Sequence, residues 1–288
     1  MNKNIAFFLT VIAVIILGAG CKTHPAAEKR LAKYAPAATE ENCLLKWRNN
    51  TFKLHPNRQF AVFNGTPIQL PAAPSYGKDK VYRVTPMTLR NIIDPLMTGH
   101  MPPRQIRRIL VDPGHGGSNA GAPGKMSREK ELNLLLAREI AFALQKKGFQ
   151  VAMTRTRDVF LPLRSRVALV KKYKADLFIS VHHNASKRNP AASGIECFAF
   201  KTPRSEDTLL AVMIQESLIR HTGSVNRGVK FANFSVLRGN PVPAVLIEAG
   251  FVTNAAEEKR LVDPRWRRKA AAAVAGAVTS YARKSGKR

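Results

Sequence analysis

Two hydrophobic periodicities alternate along the chain from residue 105 onward. Short apolar runs such as Leu177-Phe178-Ile179 are typical of buried strands, whereas apolar residues three or four apart, as in Leu132, Leu136 and Ile140, indicate amphipathic helices. The pattern predicts strands at 107–111, 150–154, 176–183, 194–200, 234–237 and 244–248, and helices at 128–147, 163–173, 206–221, 255–261 and 265–283. This alternation predicts an α/β fold over 105–285, with a mixed, mostly parallel sheet of about six strands and helices on both faces.

A different pattern precedes this region. Residues 57–100 contain short apolar runs on either side of Asn64-Gly65, a dipeptide that favours a tight hairpin turn. We predict strands at 60–63, 68–70 and 82–84, a helix at 88–96, and hence a small β-rich accessory unit. The pattern leaves open whether this unit is a separate module or an annex of the α/β region. Residues 21–56 are polar and basic with Ala-Pro punctuation, which predicts a tether or linker.

The N-terminus predicts export. Residues 5–17 are apolar except for Thr10, but this run is shorter than the about 20 residues that span a membrane. We therefore interpret residues 1–20 as a signal peptide. Small residues before Cys21 resemble a bacterial lipobox, which implies a lipid anchor at Cys21, and Lys22 after it resembles the class directed to the outer membrane. The alternative is an ordinary signal peptide cleaved nearby.

The formal net charge of +28 changes the expected partners. So basic a surface favours binding to polyanions, here the anionic polymers of a cell envelope. No aromatic-rich RNA-binding pattern or zinc-finger spacing accompanies the charge, so we expect no specific nucleic acid. Cys43 and Cys197 belong to no CxxC pair; one disulfide and two buried free thiols are both compatible with an exported chain.

Candidate catalytic residues lie where predicted strands end. His115 follows the first strand in a Gly-rich turn, His182 and His183 end the third, and Glu248 ends the last. The carboxyl ends of parallel strands gather at one edge of a sheet, so we expect these side chains to lie close together. Two imidazoles and a carboxylate form a zinc site with one position open for water, and a further carboxylate can serve as the base.

Helical phase separates two neighbouring carboxylates. Glu129 is in line with the buried apolar stripe of the predicted helix, whereas Glu131 points to solvent. Strand phase does not choose between His182 and His183, because they project to opposite faces. For Glu248 the alternative to a catalytic role is a structural ion pair with an arginine such as Arg155 or Arg227.

Five segments together resemble a known enzyme family. They are 109–117, 129–134, 180–185, 227–230 and 243–254, and they are similar in order and spacing to the zinc-dependent N-acetylmuramoyl-L-alanine amidases of amidase family 3. The resemblance implies zinc ligands at His115, Glu129 and His182, the catalytic glutamate at Glu248, and substrate or supporting contacts from Asn184 and Arg227. Two departures are Asn119, where the family usually has Asp, and His183, where Ala is common.

The resemblance also implies a reaction, and the N-terminus predicts its location. The expected substrate is peptidoglycan, cleaved at the amide between N-acetylmuramic acid and L-alanine by a monomeric enzyme that needs one Zn²⁺ in the periplasm-facing envelope. The alternatives are a zinc peptidase acting on stem peptides and a non-catalytic wall-binding lipoprotein. Some relatives carry an occluding helix between the His-bearing strand and the Arg-Gly motif. Here a strand and a helix fill that span, so we expect an open cleft that needs no activator protein.

Overall fold

The computed structural model describes residue 34 and residues 37–78 and 82–286. One sheet of eleven strands crosses the described chain in the order β1-β2-β3-β4-β5-β12-β11-β13-β10-β8-β9, and β6 pairs with β7 in a separate ribbon. The strands are β1 (Ala37–Ala38), β2 (Cys43–Trp47), β3 (Asn50–Leu54), β4 (Phe60–Phe63), β5 (Thr66–Gln69), β6 (Ser75–Tyr76), β7 (Tyr82–Arg83), β8 (Arg108–Pro113), β9 (Gln150–Met153), β10 (Leu177–Asn184), β11 (Ile195–Phe200), β12 (Asn226–Ala232) and β13 (Ala244–Phe251).

The helices follow the predicted positions closely from residue 129 onward. They are α1 (Pro86–Thr88), α2 (Asp94–Thr98), α3 (Glu129–Gln145), α4 (Leu163–Lys172), α5 (Ser205–Thr222), α6 (Ala255–Leu261) and α7 (Pro264–Ser285). The helix predicted at 88–96 is instead three short pieces, because a π-helical turn, Leu89–Ile93, lies between α1 and α2. Among the described residues, none of the helices is both long and apolar enough to cross a bilayer. The predicted signal peptide and Cys21 lie outside the described residues.

The expectation of about six strands is too low for the sheet as a whole. Six strands, β8 to β13, come from the predicted α/β region, and five more, β1 to β5, come from the N-terminal region. The junction is parallel pairing of β5 with β12, in which Ile68 faces Val229. The accessory unit is therefore an annex that continues the sheet.

The tether predicted for 21–56 is wrong over residues 37–54. These residues form β1, β2 and β3, and Cys43, Leu45, Phe52 and Leu54 are fully buried. The strands are only two to five residues long and carry exposed Lys46 and Lys53 on one face. The alternation of buried and exposed residues is therefore short, and the basic residues around it obscure the strand pattern.

One predicted strand is also wrong. Residues 234–237 form a turn, in which the N–H groups of Leu237 and Arg238 both donate to the carbonyl of Phe234. Val236 and Leu237 are buried, which explains the apolar run. The strand at this place in the chain is instead β12, whose sequence mixes Arg, Gly and Lys with apolar residues and lacks an apolar run.

Alternating side chains divide the core into two layers. Ile109, Val111, Ile179 and Val245 face the larger layer, which α3, α5 and α7 cover. Leu110, Phe178, Ala244 and Leu246 face the smaller layer, which Val170 of α4 and the turn at 234–242 cover. The sheet is thus buried on both faces, as its apolar central strands require.

The strand register brings the candidate residues to one edge. Ser180 of β10 lies opposite Asp112 of β8, and His182 lies opposite Glu248 of β13. Glu248 lies in turn opposite Glu196 of the antiparallel strand β11. His182, Glu248 and Glu196 therefore form a row on one face of the sheet, at the end where β8, β10 and β13 finish.

Candidate metal centre

The loop after β8 holds His115 in an unusual backbone conformation. His115 has a φ of 59°, in the left-handed region that non-glycine residues rarely adopt. Two buried arginines secure the loop. Arg166 donates to the carbonyls of Pro113 and His115, and Arg155 donates to those of Pro113 and Gly114. Since each guanidinium presents five donors in a fixed geometry, these contacts stabilise the turn at several points.

His115, Glu129 and His182 bring one donor atom each to a common point. Oε1 of Glu129 lies 3.0 Å from Nε2 of His115 and 3.0 Å from Nδ1 of His182. All three donor atoms lie within 4.8 Å of one another, and no second such group of His, Cys, Asp or Glu occurs in the described part of the chain. The resemblance assigned the zinc to these same three residues.

Glycines allow this close approach. A Cβ atom on Gly114 would lie 2.2 Å from Nε2 of His182, and one on Gly121 would lie 2.6 Å from Oε2 of Glu129. Both distances are far below ordinary van der Waals contact. The Gly-rich sequence around His115 therefore serves the packing of the donor side chains as well as the turn.

Neighbouring polar groups orient the donors. Nδ1 of His115 lies 2.9 Å from Oδ1 of Asn119, which also accepts from the N–H of Gly121. Asn119 thus accepts the Nδ1 proton of His115 and leaves the Nε2 lone pair facing Glu129. Oε2 of Glu129 accepts from the N–H of Ala122, and Asn133 donates to Oε1. Such supporting contacts fix the tautomer and direction of metal ligands.

The donor set fits a zinc ion. An unprotonated imidazole nitrogen and a carboxylate oxygen both accept hydrogen bonds, so their separation of 3.0 Å requires a proton or a cation between them. Zinc bound at about 2.0–2.1 Å in tetrahedral geometry places its ligands about 3.3 Å apart. The two separations of 3.0 Å between Glu129 and the histidines are close to this value. His115, Glu129 and His182 are therefore suited to hold zinc.

Electrostatics in the metal-free protein follow from the same contacts. Burial raises the pKa of Glu129, but hydrogen bonds to His115 and His182 outweigh it and hold that pKa far below its usual range. Burial lowers the pKa of His115, while the bond to Glu129 raises it and prevails. The carboxylate is thus fully ionised at neutral pH, as a metal ligand must be.

The structure distinguishes the two pairs of neighbouring candidates, Glu129 from Glu131 and His182 from His183. Glu129 is buried, whereas Glu131 is exposed and its side chain accepts from the backbone N–H of Arg128. His183 is buried on the other side of β10, where its Nδ1 contacts Oδ1 of Asn133 at 2.7 Å. Burial lowers the pKa of His183 to about 3, so this histidine is neutral.

Glu248 lies beside the donor group without a partner of its own. Its Oε2 is buried and makes no hydrogen bond within the described residues. Burial, and next the charges of Glu129 and Glu196, raise its pKa well above the usual value. The alternative of an ion pair with Arg155 or Arg227 is wrong, because Arg155 binds backbone carbonyls and Arg227 binds Glu196.

Glu196 is a site residue that sequence analysis missed. This buried carboxylate accepts from Nε of Arg227 at 3.0 Å, from Nζ of Lys230 at 2.5 Å and from Nδ2 of Asn184 at 2.8 Å. Asn184 and Arg227 were candidates for substrate or supporting contacts, and both converge on Glu196. No local pattern identifies Glu196, since Arg227 and Lys230 follow it by 31 and 34 residues.

Two further glutamates that sequence analysis missed secure the loops around the site. Glu258, buried on α6, accepts from the N–H groups of Lys125, Met126 and Ser127, just before Glu129. Glu257 accepts from the N–H groups of Gly194 and Phe251. The helix after Glu248 therefore connects the segments that carry Glu129 and Glu196.

The cysteines take no part in the site. Cys43 and Cys197 are both buried and free, which decides the alternative left open above in favour of two thiols. Burial raises the pKa of Cys43 to about 12, and that of Cys197 rises further. Neither is therefore a thiolate at neutral pH.

A comparison with known protein families identifies the family of the region that carries these residues. The family described as N-acetylmuramoyl-L-alanine amidase, Amidase_3, matches residues 109–280, which include all four candidate residues. The chain belongs to this amidase family. Its N-terminal annex, β1 to β7, lies outside the matched residues.

Named relatives share the family region. LytC of Bacillus subtilis, an N-acetylmuramoyl-L-alanine amidase, is 36% identical over 61% of this chain, which spans only 35% of LytC. AmiC of Neisseria meningitidis is 34% identical over 60% of the chain, which spans 52% of that protein. The uncharacterized protein YqiI of Bacillus subtilis is 34% identical over 62% of the chain and is itself covered to 86%.

Solved structures of amidases share the fold. An N-acetylmuramoyl-L-alanine amidase of Clostridium difficile 630 has a TM-score of 0.60 at 34% identity, covering 62% of this chain and 97% of its own. The catalytic domain of the amidase CwlV from Bacillus (Paenibacillus) polymyxa has a TM-score of 0.58 at 33% identity, covering 61% and 98%. The α/β fold of the family region is thus confirmed.

Proposed function

We propose that this protein is a zinc-dependent hydrolase that cleaves the amide between N-acetylmuramic acid and L-alanine in peptidoglycan. The observation that carries the proposal is the converging donor set of His115, Glu129 and His182 with Glu248 in register beside His182. Membership of the amidase family supplies the substrate class. A wall-binding protein without activity has no need of Glu248 with a buried Oε2 that lacks a hydrogen bond within the described residues.

Each residue then has a stated task. His115, Glu129 and His182 hold the metal, and the chemistry that bound zinc supplies is a lowered water pKa, about 7, and polarisation of the scissile carbonyl. Glu248 accepts the proton of the attacking water and delivers it to the nitrogen of L-alanine as the C–N bond breaks. In the metal-free protein, burial and the charges of Glu129 and Glu196 raise the pKa of Glu248. The charge of a bound zinc would oppose this shift and favour the ionised carboxylate that can accept a proton.

The decisive experiment analyses the products. We expect zinc-loaded protein to release stem peptides with a free L-alanine amine from isolated peptidoglycan and to leave the glycan strands intact, as read by mass spectrometry. A zinc peptidase would instead cut within the stem and leave L-alanine on muramic acid. That result would contradict the proposal while keeping the metal site.

Envelope location and anionic partners belong to the same proposal. We infer export by residues 1–20, lipid attachment at Cys21 facing the periplasm from the outer membrane, and a monomeric enzyme. The exposed basic residues of α7, among them Arg265, Arg268 and Lys269, are suited to anionic wall polymers. Retention on purified walls should weaken as salt rises, because exposed charges are screened over about 8–10 Å. Retention that is indifferent to salt would contradict this part.

The open cleft expected from the sequence supports activity without an activator. Between β10 and β12 the described chain contains only β11 and α5 with their connections, and 185–194 contains no helix. The side chains of His115 and His182 are 24% and 17% exposed. We expect the purified full chain with zinc to be active alone; turnover only after addition of a second protein would contradict this.

A further inference from the structure

The row of strand-edge residues continues beyond Glu248 into a cationic cluster. Glu196 lies opposite Glu248, and Arg227 and Lys230 of β12 bind Glu196 on its far side. We call Glu196, Arg227 and Lys230 the cation cluster. Its one carboxylate and two permanent cations leave one net positive charge at the edge of the site.

The cluster has unused hydrogen-bond donors. Nε of Arg227 binds Glu196 and Nη1 binds the carbonyl of Ser193, while Nη2 makes no hydrogen bond within the described residues. Nζ of Lys230 makes one hydrogen bond and carries three protons. Both side chains are about one-third exposed, so a ligand can reach them.

The surroundings hold the cations in place. The guanidinium of Arg227 lies 4.9 Å from the ring centre of Phe251, and Nζ of Lys230 lies 5.8 Å from that of Phe198. Phe198 in turn packs edge-on against Phe234. Aromatic walls and a buried counter-ion fix the donor directions before any ligand arrives, which lowers the entropic cost of binding.

Distance along the row limits what can bind. Neighbouring strands are about 4.8 Å apart, and Glu196 on β11 is two strands from His182 on β10. Glu196 therefore lies about 10 Å from His182, and the cation heads that bind Glu196 on its far side lie at least as far from the metal ligands. An extended peptide covers about 3.3–3.6 Å per residue, so this span equals about three residues beyond the scissile amide, or two residues and an acidic side chain.

We propose that Arg227 and Lys230, positioned by Glu196, bind a carboxylate of the stem peptide two or three residues beyond the amide that is cleaved. The proposal rests on the proposed function. It also orients the substrate, with the peptide along the row towards β12. The glycan carries no free carboxylate at the cleaved position, because its lactyl carboxyl is part of the amide.

The test compares two synthetic muramyl tripeptides. One carries free carboxylates on its second and third residues, and the other carries carboxamides at the same places. We expect the zinc enzyme to show a kcat/KM about 5 to 20 times higher for the acid, because hydrogen bonds to charged groups contribute more than neutral ones. The difference should lie mainly in KM.

Two variants and one control assign this preference to the cation cluster. Lys230→Met and Arg227→Gln each leave Glu196 one cation, and each should reduce the acid-to-amide ratio towards one. Lys201→Met removes an exposed charge just beyond the other end of β11 and should leave the ratio unchanged. A purely structural defect would lower kcat/KM for both substrates and not alter their ratio.

A binding measurement gives a readout without turnover. Calorimetry of the free tripeptide, the expected product, should show the same preference for the acid and its loss in Lys230→Met. Equal cleavage of acid and amide by the wild-type enzyme, or an unchanged ratio in both variants, would overturn the anion site alone. Failure to cleave either substrate would contradict the proposed function, and with it this site.

Discussion

The two ends of the site's row place the same functional group, a buried carboxylate, in opposite surroundings. At the metal end Glu129 faces two imidazoles, His115 and His182, which are neutral when they bind a metal. At the other end Glu196 faces Arg227 and Lys230, whose charges are permanent. A carboxylate between neutral imidazoles can still bind a metal ion, whereas one between two cations is already neutralised. The charge of the neighbouring side chains therefore decides whether a buried carboxylate can bind a metal ion or instead holds cationic side chains in place.

Glu248 lies between these two ends and has neither kind of partner. Its pKa is raised by burial first and then by the charges of Glu129 and Glu196 on either side. From these different surroundings we expect Glu129 to bind metal, Glu196 to position the cations and Glu248 to carry a proton. Each variant below changes one of the three environments.

The largest effect is expected at the metal end. Glu129→Gln replaces an anionic ligand by a neutral amide, so we expect loss of bound zinc and of nearly all activity. Glu131→Gln is the matched control on the same helix turn and should lose at most about 1 kcal/mol of capping energy. Zinc content by elemental analysis checks this. Zinc loss in Glu131→Gln but not in Glu129→Gln would reverse the assignment.

A smaller loss is expected from the residue that orients His115. Asn119→Ala removes the acceptor of the Nδ1 proton, 2.9 Å away, and leaves the ligand itself in place. Supporting residues of this kind typically change metal affinity by about 10- to 100-fold. Competition with a chelator would measure the shift. Unchanged affinity would show that the loop alone fixes the ring.

At the cation end we expect a loss of stability. Glu196→Gln keeps the size of the side chain but leaves Arg227 and Lys230 without their counter-charge. Since both cations are about one-third exposed and thus partly solvated, we expect a loss of about 1–2 kcal/mol in unfolding free energy. Asp263→Asn, at the N-cap of α7 where Asp263 pairs with exposed Arg265, is the control and should change stability by less than about 0.5 kcal/mol because Asn caps a helix as well as Asp does. Denaturant titration of both variants decides; equal losses would contradict the comparison.

The smallest effect concerns Glu248 and pH. Its folded pKa is above its unfolded value, so the metal-free protein is stabilised below the unfolded pKa, near 4.5, and loses that contribution as pH rises through the folded pKa. Glu248→Gln removes this loss. The Tm of metal-free Glu248→Gln minus that of wild type should therefore grow between pH 5 and pH 8. Each kcal/mol of stability that the wild type loses corresponds to about 2–4 °C in this difference. A difference that shrinks with rising pH would contradict the raised pKa.

Local periodicity predicted some of these features well. Only one face of α3 packs on the sheet, so the phase of Glu129 against Leu132 and Leu136 was enough to separate it from Glu131. The choice between His182 and His183 was not accessible in this way. Both faces of β10 are covered, and only the resemblance to the family singled out His182.

Long-range contacts account for what sequence analysis missed. The annex joins the sheet where β5 pairs with β12, and the paired residues Ile68 and Val229 are far apart in the chain. β12 was not predicted because Arg227 and Lys230, which bind Glu196, lie within the strand. Such polar residues interrupt the apolar pattern that would indicate a strand. In both cases tertiary partners, and not local propensity, decide the structure.

In the proposed mechanism Glu248 carries the proton, and His115, Glu129 and His182 hold the metal. Glu248→Gln tests it most directly, with zinc content and peptidoglycan turnover measured on the same folded sample. We expect one zinc per chain, as in the wild type, and a rate reduced by about 10²- to 10⁴-fold, because the general base is lost and the ligands remain. Loss of zinc in Glu248→Gln, or turnover close to wild type, would contradict this account.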